Sequence, residues 1–249
     1  MKAATMSTLL TTLTCIFATN AHALSLLAST GFDSTFPDAH FYIGGSSWPD
    51  LNSEINSTFE TVTVVNDLSN LDQLLAHDRL WVDLRVFTSL TPNELTNIQQ
   101  FIATGRRFVF MGENNVWADW NSSMLELLGG SWTGQVTGNV ATALNTHPEL
   151  TAGVGSIDFT HNAHGTSLGG TPLFDDNWAM LWHGQALTIL DVGVFARWEI
   201  PANATFGRNV VAWLAVPEPA TGYLLTLGAI ALSWRFRAKR LLPCAGCHR

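Results

Sequence analysis

The chain has 249 residues, of which 47 % are hydrophobic and 13 % are charged, a composition that excludes a disordered protein. Its charge is uneven, because residues 24–216 contain nineteen acidic residues, six arginines and no lysine. A segment this acidic repels nucleic acid and anionic headgroups; we therefore expect no nucleic-acid partner and favour a role of the charge in solubility over attraction of basic partners.

The first 23 residues are predicted to be a secretory signal peptide. Lys2 provides the positive start, residues 9–18 form a short apolar stretch, and Ala21 and Ala23 are the small residues that signal peptidase reads. The stretch is too short to span a bilayer, so we expect cleavage before Leu24. The alternative is a hydrophobic first helix of the fold.

Residues 24–216 are predicted to form one domain in which strands and helices alternate. All three cysteines lie outside this range, so the domain has neither a disulfide nor a thiol nucleophile. Strands are predicted over residues 40–43, 61–65, 79–87, 107–111, 179–183 and 186–191, and helices over residues 51–59, 92–104, 120–128 and 205–214. This alternation favours an α/β fold with a mostly parallel sheet and helices on both faces.

The helix over residues 92–104 has the clearest boundaries. Thr91 is predicted as its N-cap, Pro92 stands at the first helical position, and Glu94 completes a capping box. Gly105 is the residue type that ends helices, because it adopts the left-handed conformation without steric cost.

The segment from residue 79 to residue 214 resembles the class I glutamine-amidotransferase-like (flavodoxin-like) fold. The resemblance rests on residues 91–112, on residues 147–154, and on a strand over residues 187–192 followed by residues 206–214. In that family, a turn after a strand carries a catalytic cysteine between two glycines. Here the turn reads Gly112-Glu113-Asn114-Asn115, with Asn114 at the cysteine position. The resemblance therefore implies the fold without the amidotransferase reaction, and we expect a non-catalytic domain.

Glu113 and Asp119 are the remaining candidates for catalysis. Two carboxylates near one crevice can divide the acid and base roles of a glycan or peptide hydrolase. The simpler interpretation is that both acids cap the following helix and complement its dipole.

Asp158, His161 and His164 are candidate metal ligands, since a helix would place all three on one face. However, residues 157–159 are typical of a strand and residues 164–167 of a loop, which favours ordinary polar residues. We expect no metal and no cofactor.

Tryptophan is abundant, with ten residues in the chain. Trp117 and Trp120 flank the turn after residue 112, and together with Asn114 they could bind sugar rings through apolar contact and hydrogen bonds. The alternative is that they supply buried area to the core, as Trp81, Trp182 and Trp213 are predicted to do.

Residues 217–240 contain three features in a fixed order: a Pro-Glu-Pro tripeptide, an apolar run over residues 220–234, and a basic cluster. This order resembles the PEP-CTERM sorting signal of Gram-negative bacteria. The resemblance implies a transmembrane helix, an inner-membrane precursor, recognition by an exosortase, and delivery to the cell surface or the extracellular polysaccharide matrix. The alternative is a plain membrane anchor. The residues that carry the signal are Pro217, Glu218, Pro219, Arg235, Arg237, Lys239 and Arg240.

Residues 241–249 are predicted to be a short cytoplasmic tail. Cys244, Cys247 and His248 match the spacing of a haem c attachment site. Because haem c is not attached in the cytoplasm, we favour a coincidental match.

Overall fold

A computed structural model describes residues 23–30, 41–85, 89–159 and 163–217 of the chain. The described residues up to Ala215 belong to one compact unit. The strands are β1 (Ser25–Ser29), β2 (Thr61–Val65), β3 (Arg79–Val82), β4 (Phe108–Met111), β5 (Ser131–Thr137), β6 (Val140–Thr142), β7 (Ser156–Asp158), β8 (Ala163–Leu168), β9 (Thr171–Pro172), β10 (Ala179–Trp182) and β11 (Ala186–Ile189). The helices are α1 (Pro49–Thr58), α2 (Leu71–Leu75), α3 (Pro92–Ala103), α4 (Ala118–Leu127), α5 (Pro148–Thr151) and α6 (Pro201–Ala215), and 3-10 turns cover Asn115–Trp117 and Val192–Ala196.

Seven strands form the main sheet in the order β2-β1-β3-β4-β11-β10-β9. The first five are parallel to one another, and β10 and β9 are antiparallel additions at one side. The predicted α/β fold with a mostly parallel sheet is therefore confirmed. The strands β5 and β8 form a separate antiparallel ribbon, and β6 and β7 form another.

Helices cover both faces of the main sheet. The connection through α1 runs from β1 to β2, whereas the connection through α3 runs from β3 to β4, in the opposite direction along the sheet. Since such crossovers are right-handed, the two helices lie on opposite faces. Helix α6 packs beside α1, and α3 packs between α2 and α4.

The predicted capping box of α3 is confirmed. The Thr91 hydroxyl accepts from the backbone N–H of Glu94, and the Glu94 carboxylate accepts from the backbone N–H of Thr91 at 2.9 Å. Gly105 follows the helix with a φ of +80°. The 61–65 strand and the helix over residues 51–59 also form, with Leu51, Ile55 and Phe59 buried.

Two predicted strands are corrected. The described residues 41–47 form turns in place of the strand over residues 40–43, and the Ile43 N–H donates to Asp83 at 2.8 Å. The strand predicted over residues 79–87 ends at Val82, because Asp83 turns its carboxylate toward Ile43 and the Trp81 indole.

Five of the described strands were not predicted, namely β1, β5, β6, β8 and β9. Residues 164–167 lie in β8, paired with β5, and not in a loop. The strand β1, inside the parallel sheet, has only five residues and directly follows the predicted cleavage site.

The core beside the carboxyl ends of the strands is aromatic. Trp48, Trp81 and Phe195 contact one another with ring centroids 5.7–6.4 Å apart, and Phe195 stacks on Phe206 of α6. Because these rings come from four distant parts of the chain, they pack the start of α1, strand β3 and helix α6 against the Val192–Ala196 turn. Trp81, Trp182 and Trp213 are buried, as predicted.

The two targeting segments fall largely outside the described residues. This applies to residues 1–22 of the signal peptide and to residues 218–240 of the sorting signal, including Glu218, Pro219, Arg235, Arg237, Lys239 and Arg240. Within the described ranges, no helix has both the length and the apolar character needed to cross a membrane.

Candidate functional site at the carboxyl edge of the sheet

Three acidic residues stand within two positions of the ends of three neighbouring parallel strands. Asp83 follows β3, Glu113 follows β4, and Asp191 follows β11. All three are buried, with exposed fractions of 0 %, 7 % and 2 %. Since open α/β sheets bind ligands at the carboxyl edge of their strands, this row of carboxylates marks the candidate site.

Hydrogen bonds engage the carboxylate, the backbone N–H and the carbonyl oxygen of Glu113. Its carboxylate accepts from the backbone N–H groups of Asn114 at 3.1 Å and Val192 at 3.0 Å. The Asn121 side chain of α4 accepts from the Glu113 N–H at 3.2 Å and donates to its carbonyl oxygen at 2.6 Å. Both carboxylate oxygens therefore have backbone donors, which fixes the side chain at the turn after β4.

Asp191 caps the Val192–Ala196 turn, and its carboxylate accepts from the Val194 N–H at 3.0 Å. Burial raises the pKa of Asp191 well above its usual value, and the charge of Glu113 raises it further. Burial also raises the pKa of Glu113 to about 7, against the lowering effects of the Val192 and Asn114 N–H groups and of His164. The two carboxyls thus interact electrostatically across adjacent strand ends.

Asp83 has a structural role at the same edge. Its carboxylate accepts from the Ile43 N–H at 2.8 Å and from the Trp81 indole N–H at 2.7 Å. Burial raises the pKa of Asp83 well above its usual value. The Asp83 N–H in turn donates to the Ser29 hydroxyl at the end of β1, so polar contacts continue along the edge.

A buried histidine faces this site from the β5–β8 ribbon. His164 Nε2 lies 2.6 Å from Asp176 Oδ2, and the His164 ring stacks on Phe159 at 4.0 Å. Within the described part of the chain, neither His164 Nδ1 nor Asp176 Oδ1 has a hydrogen-bond partner. The pair is therefore an incompletely satisfied polar group in the interior.

The candidate metal ligands are not brought together in the described ranges. Asp158 forms an ion pair with Arg197 at 3.1 Å, and His164 is engaged with Asp176. His161 lies outside the described residues. Among the residues that the structure does describe, no group of three histidine or acidic side chains could hold a metal ion.

The remaining predicted site residues lie around the turn after β4. The Asn114 side chain accepts from the Val116 N–H at 3.1 Å and so caps the Asn115–Trp117 turn. Asp119 is exposed in the first turn of α4, whereas Glu113 is buried. Trp117 is half-buried, and its neighbour Val116 is 61 % exposed.

Trp120 differs from the prediction of a ligand-binding ring. It is 2 % exposed, its ring stacks on Phe110 at 5.5 Å, and its indole N–H donates to the Met111 carbonyl at 2.9 Å. Because the residue following Trp117 starts α4, the next helical positions turn Trp120 toward the sheet. We therefore leave Trp120 out of the binding site.

A cavity of about 300 Å³ lies at the other edge of the sheet. It adjoins the turn between β10 and β11, which precedes β11 and so belongs to the amino edge. Its lining includes Trp182, His183 and His147. This cavity is remote from the carboxylates, and the chemistry at the carboxyl edge makes that edge the better candidate site.

Sequence reasoning identified Glu113 but missed Asp83, Asp191 and the partnership of His164 with Asp176. A signal for the first two is present, since each acid stands within two positions of the end of a buried apolar strand, as Glu113 does. No local signal indicates that His164 and Asp176 are paired, because strand β8 was interpreted as a loop.

The fold and the site together define an α/β protein with a mostly parallel sheet, whose turn after β4 carries a buried glutamate and no thiol. Residues 215–238 match the PEP-CTERM protein-sorting motif, which confirms the sorting signal predicted from the sequence. This motif is the substrate signal for exosortase processing, and it supports export to the cell surface. No curated protein matches the chain.

Several solved structures have a similar fold. An exo-β-1,4-mannosidase from Opitutaceae bacterium strain TAV5 has a TM-score of 0.50 and 13 % identity, with 80 % of this chain and 37 % of the enzyme covered. A ThuA-like protein from Bacteroides uniformis has a TM-score of 0.49 and 11 % identity, with 82 % and 96 % covered. A GMP synthase subunit from Thermoplasma acidophilum has a TM-score of 0.44 and 12 % identity, with 78 % and 95 % covered. The likeness to the mannosidase agrees with the α/β architecture and extends to the fold alone.

Proposed function

We propose that this chain is an exported, surface-associated protein whose α/β domain binds a ligand without catalysing a reaction. The observation that carries the proposal is the turn Gly112-Glu113-Asn114. It has no thiol, and both oxygens of its only acid are occupied by backbone N–H groups. A buried carboxylate whose two oxygens both accept backbone hydrogen bonds is poorly placed to accept a proton from a substrate. A hydrolase that uses Glu113 with the exposed Asp119 is therefore not favoured.

Extracellular polysaccharide is the ligand class that best fits the surface beside this turn. Val116 is 61 % exposed and Trp117 is half-buried, so apolar area is available next to polar side chains. Gln135 of β5 approaches the same turn, since its side-chain oxygen accepts from the Asn115 N–H at 3.3 Å. Apolar area with adjacent amides suits the faces and hydroxyls of sugars. Because acids outnumber arginines in the domain, a neutral polymer is preferred over an acidic one.

The position of α6 supports display of this surface. Its end is fastened to the amino edge of the sheet, where Arg79 of β3 donates to the Leu214 carbonyl at 2.5 Å and Arg107 donates to the Trp213 carbonyl. The chain therefore leaves the domain at the amino edge, whereas Val116 and Trp117 lie at the carboxyl edge. The C-terminal end of α6 and the surface around Val116 and Trp117 therefore lie at opposite edges of the sheet, which leaves that surface free of the last helix.

Export is tested with an epitope tag inserted at the exposed turn over residues 138–139. The tagged chain is expressed with and without the exosortase of its host, and its size and location are followed by fractionation. We expect the tag at the surface or in the medium without the C-terminal tail, and in the inner membrane when the exosortase is missing. A full-length protein that stays in the inner membrane of both hosts would contradict sorting and favour a plain anchor.

Ligand binding is tested by electrophoresis of the released protein through gels that contain a neutral polysaccharide. We expect retardation of the wild type and weaker retardation of Trp117→Ala and Val116→Ala. Val140→Ala is the matched control, because Val140 is a similarly exposed valine, at 57 %, on the β6–β7 ribbon. Equal retardation of all four proteins would exclude this surface, and release of new reducing ends would contradict a non-catalytic role.

A further inference from the structure

The carboxylates of Glu113 and Asp191 are connected through a single backbone unit. The Val192 N–H, which directly follows Asp191, donates to Glu113 at 3.0 Å across a sequence separation of 79 residues. Asp191 itself caps the turn that Val192 begins. This side-chain bond adds to the backbone pairing of the two strands, in which the Gly112 N–H donates to the Ile189 carbonyl at 2.8 Å.

The surroundings offer little compensation for two negative charges. Glu113 is 7 % exposed and Asp191 is 2 % exposed, so water screens neither carboxyl well. From β8, His164 faces Glu113, but this imidazole is already bonded to Asp176. From the segment after β3, Arg85 lies 5.9 Å from the Trp120 ring and forms an ion pair with Glu94. From the end of β3, the buried Asp83 adds a third carboxyl, which accepts from the Ile43 N–H and the Trp81 indole.

Two carboxyls in such a place do not ionise independently. The first can be charged and stabilised by backbone N–H groups, but a second charge on the neighbouring strand end is opposed by burial and by repulsion. Ionisation of both must be relieved by movement of one strand end or by entry of water. The segments free to respond are the short turns, because the strands themselves are fixed by the sheet.

We propose that Glu113 and Asp191 form a proton-controlled latch between the ends of β4 and β11. The latch is closed while the pair retains a proton, and it loosens when both carboxyls are ionised. On one side it holds the Asn115–Trp117 turn, and on the other it holds the Val192–Ala196 turn, whose Phe195 packs on Trp48 and Trp81.

The direction of the pH effect follows from the pKa values. Burial raises the pKa of Glu113 from 4.5 to about 7, and the pKa of Asp191 is raised as well. A raised pKa means that the folded state binds the proton more tightly than the unfolded chain. The protonated pair therefore stabilises the closed latch fully below pH 4.5, the pKa of glutamate in the unfolded chain. This stabilisation is lost as the pH rises through about 7.

One consequence rests on the proposed function. If Trp117 and Val116 bind polysaccharide, a loosened latch disorders their turn, and binding weakens as the pH rises above neutrality. The latch itself is independent of any ligand, so it is measured without polysaccharide.

The test is hydrogen–deuterium exchange of the full chain in mild detergent at pH 5.5 and pH 8, read by mass spectrometry. Exchange is corrected for its intrinsic pH dependence and followed in peptides over residues 111–117 and 190–196. We expect protection in these peptides to fall about tenfold or more between the two pH values, since one coupled proton changes an equilibrium about tenfold per pH unit. Protection of β2, at the far edge of the main sheet, should change less.

Glu113→Gln removes the titrating group and should flatten the pH dependence in both peptides. Asp119→Asn is the matched control, since Asp119 is an exposed carboxylate six positions further along the chain, and it should behave as the wild type. Should Glu113→Gln fail to fold, Asp191→Asn provides the same comparison from the other strand. A wild type with equal protection at both pH values, or a variant that keeps the wild-type pH dependence, would overturn the latch. Either result would leave the polysaccharide measurement unaffected.

Discussion

The indole N–H of Trp48 donates to the carbonyl oxygen of Val192 at 3.0 Å, across 144 positions of sequence. Trp48 immediately precedes α1, and Val192 begins the turn after β11, so this bond joins the start of the first described helix to the carboxyl edge of the sheet. The same residue of the turn therefore uses its N–H to bind Glu113 and its carbonyl to bind Trp48.

Trp48→Phe should destabilise the domain more than its loss of volume suggests. Phenylalanine keeps an aromatic ring against Phe195 but leaves the Val192 carbonyl buried without its donor, which costs about 1–3 kcal/mol. Urea unfolding followed by circular dichroism measures the change. Trp132→Phe is the comparison, because Trp132 is half-buried in the β5–β8 ribbon, and its effect should be smaller. Equal losses for the two variants would mean that the hydrogen bond contributes nothing.

Gly112→Ala should be strongly destabilising. A methyl group at this position would clash with the Asn121 amide and with the Leu190 side chain, and Asn121 cannot withdraw without losing its two bonds to Glu113. We expect a loss of about 1–3 kcal/mol, typical of overpacking in a core. Gly138→Ala serves as the control, since a methyl group there meets no atom within 4 Å. In thermal unfolding, Gly112→Ala should have a clearly lower melting temperature than Gly138→Ala. Similar melting temperatures would contradict the close packing of Asn121 and Leu190 against Gly112.

Thr91→Ala should remove the cap of α3. The alanine leaves the Glu94 N–H without its side-chain acceptor, and loss of such a cap costs about 1 kcal/mol. Thr96→Ala is the matched substitution on the exposed surface of the same helix. It should be neutral or slightly stabilising, because alanine has the higher helix propensity. Chemical denaturation of both variants checks the difference, and equal losses would argue against a capping role.

Glu94 should make the domain sensitive to acid. Burial opposes its ionisation, but the Arg85 guanidinium and the N–H groups of Leu68 and Thr91 outweigh burial and lower the pKa of Glu94 to about 2. Because the pKa is lowered, ionised Glu94 stabilises the folded state above pH 4.5, and this stabilisation is lost as the pH falls toward about 2. Glu94→Gln should therefore lower the unfolding midpoint at pH 7 much more than at pH 2.5. Glu126→Gln, at an exposed glutamate of α4, should leave both midpoints nearly unchanged.

Local features of the fold could be predicted wherever neighbouring residues decide the outcome. Thr61–Val65 is a run of β-branched residues, and it forms a strand of the predicted length. Thr91, Pro92 and Glu94 determine the start of α3 through bonds within one helical turn. The prediction of a strand over residues 40–43 was wrong. The segment has the apolar pattern of a strand, but its backbone does not pair with another strand. Instead, Asp83 takes the Ile43 N–H that a strand would have used.

The candidate site could be predicted only in part. Glu113 was found because it follows a strand, which is a local property. Its relationship to Asp191 depends on the adjacency of β4 and β11, two strands separated by the whole β5–β10 segment. The sequence left a binding role and a core role open for Trp120, since the register of α4 on the sheet decides whether its ring meets solvent or Phe110.

The sequence by itself determined the destination of this protein, because a sorting signal is recognised as a linear order of a Pro-Glu-Pro motif, an apolar run and a basic cluster. It also determined the α/β class, since alternating strands and helices require a mostly parallel sheet. Only the tertiary structure decided which acids share an environment. Burial and the proximity of charges depend on strand order and packing, and these arise from contacts between residues far apart in the chain. The pairing of Glu113 with Asp191 is therefore a property of the folded sheet.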